Sequence, residues 1–132
     1  MPRSASWQER WLPRCSATRS DRGASSEEKQ VTDRIEALQR MVQARPHDPR
    51  ARFGLALEYE RLERWEEAVE QLRLYLEATD DEGNAYGRLA RALVRLGRED
   101  EAREAYRQGI EAAYRHGHPT MAGEFEDELD AL

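Results

Sequence analysis

Two stretches decide the fold: Leu55-Ala56-Leu57-Glu58-Tyr59-Glu60-Arg61-Leu62 and Leu89-Ala90-Arg91-Ala92-Leu93-Val94-Arg95-Leu96. They superimpose at an offset of 34 residues. Leu55 matches Leu89, Ala56 matches Ala90, and Leu62 matches Leu96. The agreement continues downstream, where Ala68 matches Ala102, Leu72 matches Tyr106, and Leu76 matches Ile110. Within each stretch the apolar residues recur every three or four positions, which is the period of one helix face. No segment alternates with the period of two that a strand requires. The chain therefore reads as all-α, with a repeating pair of helices.

Working outward, the start and stop signals place six helices, near 26–44, 49–62, 65–78, 82–96, 99–115 and 119–131. Ser25 followed by Glu28 forms a capping box at the first start. Pro46 and Pro49 stop that helix near Arg45. Asp48-Pro49 restarts the chain, with a capping carboxylate and a proline at the first helical position. Thr79-Asp80-Asp81 supplies the next cap, Gly97 the next turn, and Gly117 with His118-Pro119 the last break. Residues 1–24 show no sustained period and are rich in Ser and Arg, so they read as a disordered leader, with the folded domain at 25–132. Trp7, Trp11 and Leu12 lie at helical spacing within that leader. They either form a short amphipathic turn that docks elsewhere or contact nothing.

A 34-residue period built from two helices resembles the tetratricopeptide repeat family. Leu55-Ala56 and Leu89-Ala90 fit its large-then-small pair, Tyr59 and Leu93 its next large position, and Ala68 and Ala102 its small residue on the second helix. Gly97 fits its turn glycine, whereas Glu63 does not. The resemblance covers about residues 31–130. It implies a short right-handed α-solenoid of antiparallel helix pairs. Two full repeats would lie between a half-repeat helix at the front and a capping helix behind. The physical basis is plain: small residues at 56, 68, 90 and 102 let paired helices approach, and large ones at 55, 72, 89 and 106 fill the layers between them. The last helix departs from the period, since Met121, Ala122 and Phe125 align with Leu89, Ala90 and Leu93 only at an offset of 32. Its outer face carries Glu124, Glu126, Asp127, Glu128 and Asp130, as a solubilising cap should. That cap leads us to expect a freestanding module rather than a fragment.

Composition narrows the function. The net charge is −6, but residues 1–26 hold +3 and the remaining 106 hold −9. An acidic body argues against nonspecific nucleic-acid binding and against docking on an anionic membrane. The single cysteine, Cys15, excludes an internal disulfide and a multi-cysteine zinc site, and fits a reducing cytoplasm. No apolar run is long enough to span a bilayer. His47, His116 and His118 do not make a metal set, and no cofactor motif appears. No serine or cysteine nucleophile has a base nearby, so no enzymatic activity is expected.

The family resemblance implies that the first helix of each repeat lines a concave groove. The candidate partner-binding residues there are Arg50, Phe53, Leu57 and Arg61 in the first repeat. In the second they are Asn84, Arg88, Arg91 and Arg95. Arg88, Arg91 and Arg95 share one face and would select an acidic peptide or a C-terminal carboxylate, unless neighbouring Glu side chains neutralise them. Phe53, Leu57 and Gly87 stand where chaperone-tail receptors of the family carry polar clamp residues, which argues against that ligand. Phe53 and Leu57 form an apolar floor or are covered by the helix at 26–44. The expected function is a non-catalytic module that binds a peptide or helix of another protein. Self-association of exposed solenoid ends into a homodimer is the alternative.

Overall fold

The computed structural model describes residues 26–132. The leader with Trp7, Trp11, Leu12 and Cys15, and the Ser25 cap, lie outside the described residues. Among the described residues six helices follow one another: α1 (Ser26–Ala44), α2 (Pro49–Arg61), α3 (Trp65–Ala78), α4 (Asn84–Arg95), α5 (Glu99–Arg115) and α6 (Pro119–Asp130). The chain divides into two units, Met1–Glu36 and Ala37–Leu132. In the first, Val31 and Ile35 are the buried residues of α1, one helical turn apart. The second is a stack in which α2 packs on α3, α3 on α4, α4 on α5 and α5 on α6.

Small residues let these helices approach. Ala56, Ala68, Ala90 and Ala102 are all fully buried, as are the large Leu72 and Leu93 between layers. Leu55, Leu89 and Tyr106 are buried beside them. Burial of this kind is the main favourable term in the fold.

Three connections share one geometry. After α2, the N–H of Arg64 donates to the carbonyl of Tyr59 (2.9 Å), and the N–H of Glu63 to that of Glu60 (3.0 Å). After α4, Arg98 donates to Leu93 (2.9 Å) and Gly97 to Val94 (3.0 Å). After α5, His118 donates to Ala113 (2.7 Å) and Gly117 to Tyr114 (3.1 Å). These are Schellman closures, which satisfy the last carbonyls of a helix and place one residue in the left-handed region. That residue is Glu63 (φ 59°), Gly97 (φ 76°) or Gly117 (φ 79°). In each case the next residue, Arg64, Arg98 or His118, already caps the following helix. Glu63 thus fills the glycine position without glycine's freedom.

The connection between α3 and α4 differs. The sequence reading starts α4 near residue 82, whereas it begins at Asn84 with Gly83 as its cap. Asp81 is the cause. Its buried carboxylate accepts from the N–H groups of Gly83 (2.8 Å) and Ala85 (2.9 Å), and from the Tyr75 hydroxyl (3.3 Å). Those bonds hold residues 81–83 in a loop and delay the helix. His116 and Arg115 reach Asp80 from the turn after α5 (3.2 and 3.0 Å), and His118 reaches Glu82 (3.2 Å).

Several arginines reach carboxylates on other helices: Arg73 bonds Glu101, Arg88 bonds Glu60 and Arg91 bonds Glu128. Glu99–Arg103 is made, at 3.4 Å. Arg64 bonds Glu67 within the first turn of α3, and Arg115 at the end of α5 bonds Asp80.

Candidate functional site

The face built by α2 and α4 carries most of the residues singled out in the sequence. Arg50 stands apart from the others. Asp48 caps α2 by accepting from the backbone N–H of Arg50 (3.0 Å), and the Arg50 side chain returns two bonds to the same carboxylate (3.2 and 3.0 Å). Those bonds hold the Asp48 carboxyl well below its ordinary value, at about 2.

Phe53 is half-buried. Its ring lies 5.0 Å from that of Tyr75 on α3, and the Arg88 guanidinium lies 6.0 Å above it. Leu38 of α1 abuts the neighbouring Gly54, where an added Cβ would lie 3.2 Å from Leu38. Leu57 is half-buried, and Arg61 is exposed as the last residue of α2.

On α4 the three arginines meet three different fates. Arg88 donates to Glu60 Oε1 across to α2 at 2.7 Å. The pair is only partly satisfied, since Glu60 Oε2 and Arg88 Nε are buried without a hydrogen bond. Burial pushes the Glu60 carboxyl above its ordinary range, against the opposing pull of Arg88 and Arg91. Arg91 turns the other way, toward α6. It grips Glu128 with two bonds of 3.0 Å and lies 5.7 Å over the Phe125 ring. Glu128 also accepts from the Tyr106 hydroxyl (2.7 Å). Arg91 and then Tyr106 hold the Glu128 carboxyl low despite its partial burial. Desolvation, followed by that same bond, raises the Tyr106 hydroxyl to about 12. Arg95 shares the aromatic contact but not the carboxylate. Its guanidinium sits 5.1 Å from the Trp65 ring centroid, and it forms no ion pair among the described residues. Neutralisation by neighbouring carboxylates therefore holds for Arg88 and Arg91 but not for Arg95.

Asn84 is exposed at the start of α4. With Arg91 it edges a polar cavity of about 490 Å³ shared with the first turns of α6. Gly87, on the same helix, is closed off by Phe125: a Cβ there would lie 2.6 Å from the ring. A Cβ added at Gly109 of α5 would lie 3.2 Å from the other edge of that ring. Phe125 is thus a knob seated between two glycines.

The sequence reading missed Trp65, Phe125, Glu128 and Tyr106 as parts of this face. Trp65 reads as one more apolar residue of the α3 stripe, and the α6 residues fall off the 34-residue register. The one available signal was the shared offset of Arg61 and Arg95, each the last residue of its helix.

The stacked pairs, the repeating turns and the 34-residue register converge with a family match. Tetratricopeptide repeats match residues 28–113 of the chain. The protein belongs to the tetratricopeptide repeat family. As such it is a protein-interaction module, in a family typical of non-enzymatic binding domains. Among solved structures, a MamA chain designated MSR-1 shares 24% identity and a TM-score of 0.56, with 80% of this chain covered and 71% of that one. A MamA chain designated AMB-1 shares 24% identity and a TM-score of 0.54, with 74% and 61% covered. Both likenesses concern the fold of the tetratricopeptide chain alone. No curated protein matches the sequence.

Proposed function

We propose that this tetratricopeptide protein is a non-catalytic module that holds an acidic peptide or helix of another protein on the face formed by α2 and α4. One observation carries the reading. Arg61 and Arg95 close that face without an ion pair among the described residues, in a chain whose residues 27–132 are strongly acidic. Cationic side chains left open on an acidic body favour a carboxylate-bearing partner over nucleic acid, whose phosphates the rest of the surface repels. Phe53 and Leu57 give the face apolar area, and Arg88 and Arg91, through Glu60 and Glu128, fix its shape. No helix among the described residues is long and apolar enough to cross a membrane. The cytoplasm remains the compartment we propose.

Binding of a fluorescent glutamate-rich peptide to the full chain tests this reading. Affinity should fall with added salt, and a lysine-rich peptide of equal length should not bind. Equal binding of both peptides, or of neither, would refute it.

A second reading has its own observation. Met41 is 55% exposed and edges an apolar hollow of about 500 Å³ with Ala44 and Ala51. A second copy seated there would make a homodimer. Sedimentation velocity across a hundredfold dilution tests it: a dimer lost on Met41→Glu supports this reading, and a monomer throughout rejects it.

A further inference from the structure

We infer that Arg95, held on the Trp65 ring, is the group that takes a partner carboxylate, and that Arg61, one repeat earlier, takes a second. The inference rests on the acidic-partner reading above and sharpens it to two side chains.

Availability separates the three arginines of α4. Arg88 and Arg91 share the α4 face with Arg95 but are committed, to Glu60 at 2.7 Å and to Glu128 at 3.0 Å. For either to serve a ligand it would first abandon a carboxylate that is itself partly buried. Glu60 keeps only 17% of its side-chain surface exposed and Glu128 36%. Leaving such a charge unpaired is strongly unfavourable, so a ligand carboxylate would have to replace what it displaced. Nothing comparable has to be broken at Arg95.

The second step is orientation. A guanidinium laid over an aromatic ring is held by its face, while its N–H groups lie along its edge. The edge is the part that grips a carboxylate with two parallel bonds. Trp65, packed against the core as the first residue of α3, is a fixed plate for this purpose. Arg95 therefore loses less side-chain freedom on binding than a free arginine would.

The third step is repetition. Arg61 and Arg95 are 34 residues apart and each ends the first helix of its repeat. A helix C-terminus tolerates a cation, which accounts for their stability there but not for the aromatic plate beneath only one of them. A segment lying across the two repeats would meet both arginines in turn, so the fitting partner carries two spaced carboxylates.

The test uses the full chain and a fluorescein-labelled decaglutamate peptide, read by anisotropy at low salt. Arg95→Gln is expected to weaken binding tenfold or more, and Arg61→Gln several-fold. Arg95→Lys should fall between, since it keeps the charge but loses the guanidinium fork. Arg107→Gln, which removes an equal charge from the exposed surface of α5, should change binding less than twofold. Thermal midpoints measured on every variant separate a lost contact from a lost fold, and Arg95→Lys serves should Arg95→Gln unfold. If decaglutamate binds the wild type but Arg95→Gln binds equally well, this inference is overturned and the acidic-partner reading survives. A loss at Arg107→Gln equal to that at Arg95→Gln reduces the effect to net charge and also overturns it. No binding by the wild type overturns both.

Discussion

Glu63 and Asp81 show how far single residues steer this fold. Glu63 sits at a left-handed φ of 59°, where its counterparts Gly97 and Gly117 have no side chain to strain. Replacing it by glycine should raise stability by about 0.5–1 kcal/mol, the left-handed penalty less glycine's extra chain entropy. Chemical denaturation would read this as a later midpoint, and an unchanged midpoint would mean that the turn holds Glu63 without strain. Asp81 works in the opposite sense. Its carboxylate is the acceptor for two backbone N–H groups and the Tyr75 hydroxyl. Asp81→Ala should cost about 1–3 kcal/mol, because buried donors would lose their partner. Glu63 was legible as a departure from the repeat pattern. Asp81 was legible as a cap but not as a loop anchor, because its bonds to Gly83 and Ala85 delay the helix by two residues. Local propensity alone cannot foresee that.

At the scale of elements, α6 is held in part by the Phe125 knob and the Arg91–Glu128 ion pair. Phe125 fills the space that a side chain at residue 87 would need. Gly87→Ala should therefore cost about 1–3 kcal/mol by overpacking. Phe125→Ala should cost about 3–5 kcal/mol. In the double variant the two losses should fall well short of additive, since the added methyl then enters the vacated space. Full additivity in a double-mutant cycle would mean that the two residues do not share this contact. Between α3 and α5 the tie is Glu101, which Arg98 and then Arg73 hold at about 2, far below the usual carboxylate value. The sign follows from that depression. The contribution of Glu101 is fully present above the ordinary carboxylate pKa of 4.5 and fades as pH falls toward about 2. Glu60, raised by burial, has the opposite slope and gains from protonation as pH falls. Glu101→Gln should flatten the acid limb of stability between those values. Denaturant midpoints taken at intervals down that range would show it, and an unaltered limb would count against the assignment.

For the molecule as a whole, the 34-residue register made the stack of α2 to α5 legible, because both repeats place small and large residues by one rule. The face of α2 and α4 was legible only in part. Periodicity placed Arg88, Arg91 and Arg95 side by side, and it could not tell which would find carboxylates. Glu60 sits on the neighbouring repeat and Glu128 on the helix that breaks register, so both partners are products of tertiary packing. Nearest-neighbour stacking also means that the ends of the array set its robustness. Ending the chain at Gly117 should lower the thermal midpoint and expose the apolar surface around Gly87, Gly109 and Tyr106, detectable as binding of an apolar dye. A truncated chain that melts as the intact one does would show that α6 is dispensable.

The seat of Phe125 between Gly87 and Gly109 has one more consequence. Repeats of this kind add to one another head to tail, and an open seat on one molecule is an invitation to the leading helix of the next. Such contacts do not close on themselves, and they propagate into filaments. Phe125 fills the seat between Gly87 and Gly109 from within its own chain, so that apolar surface is covered.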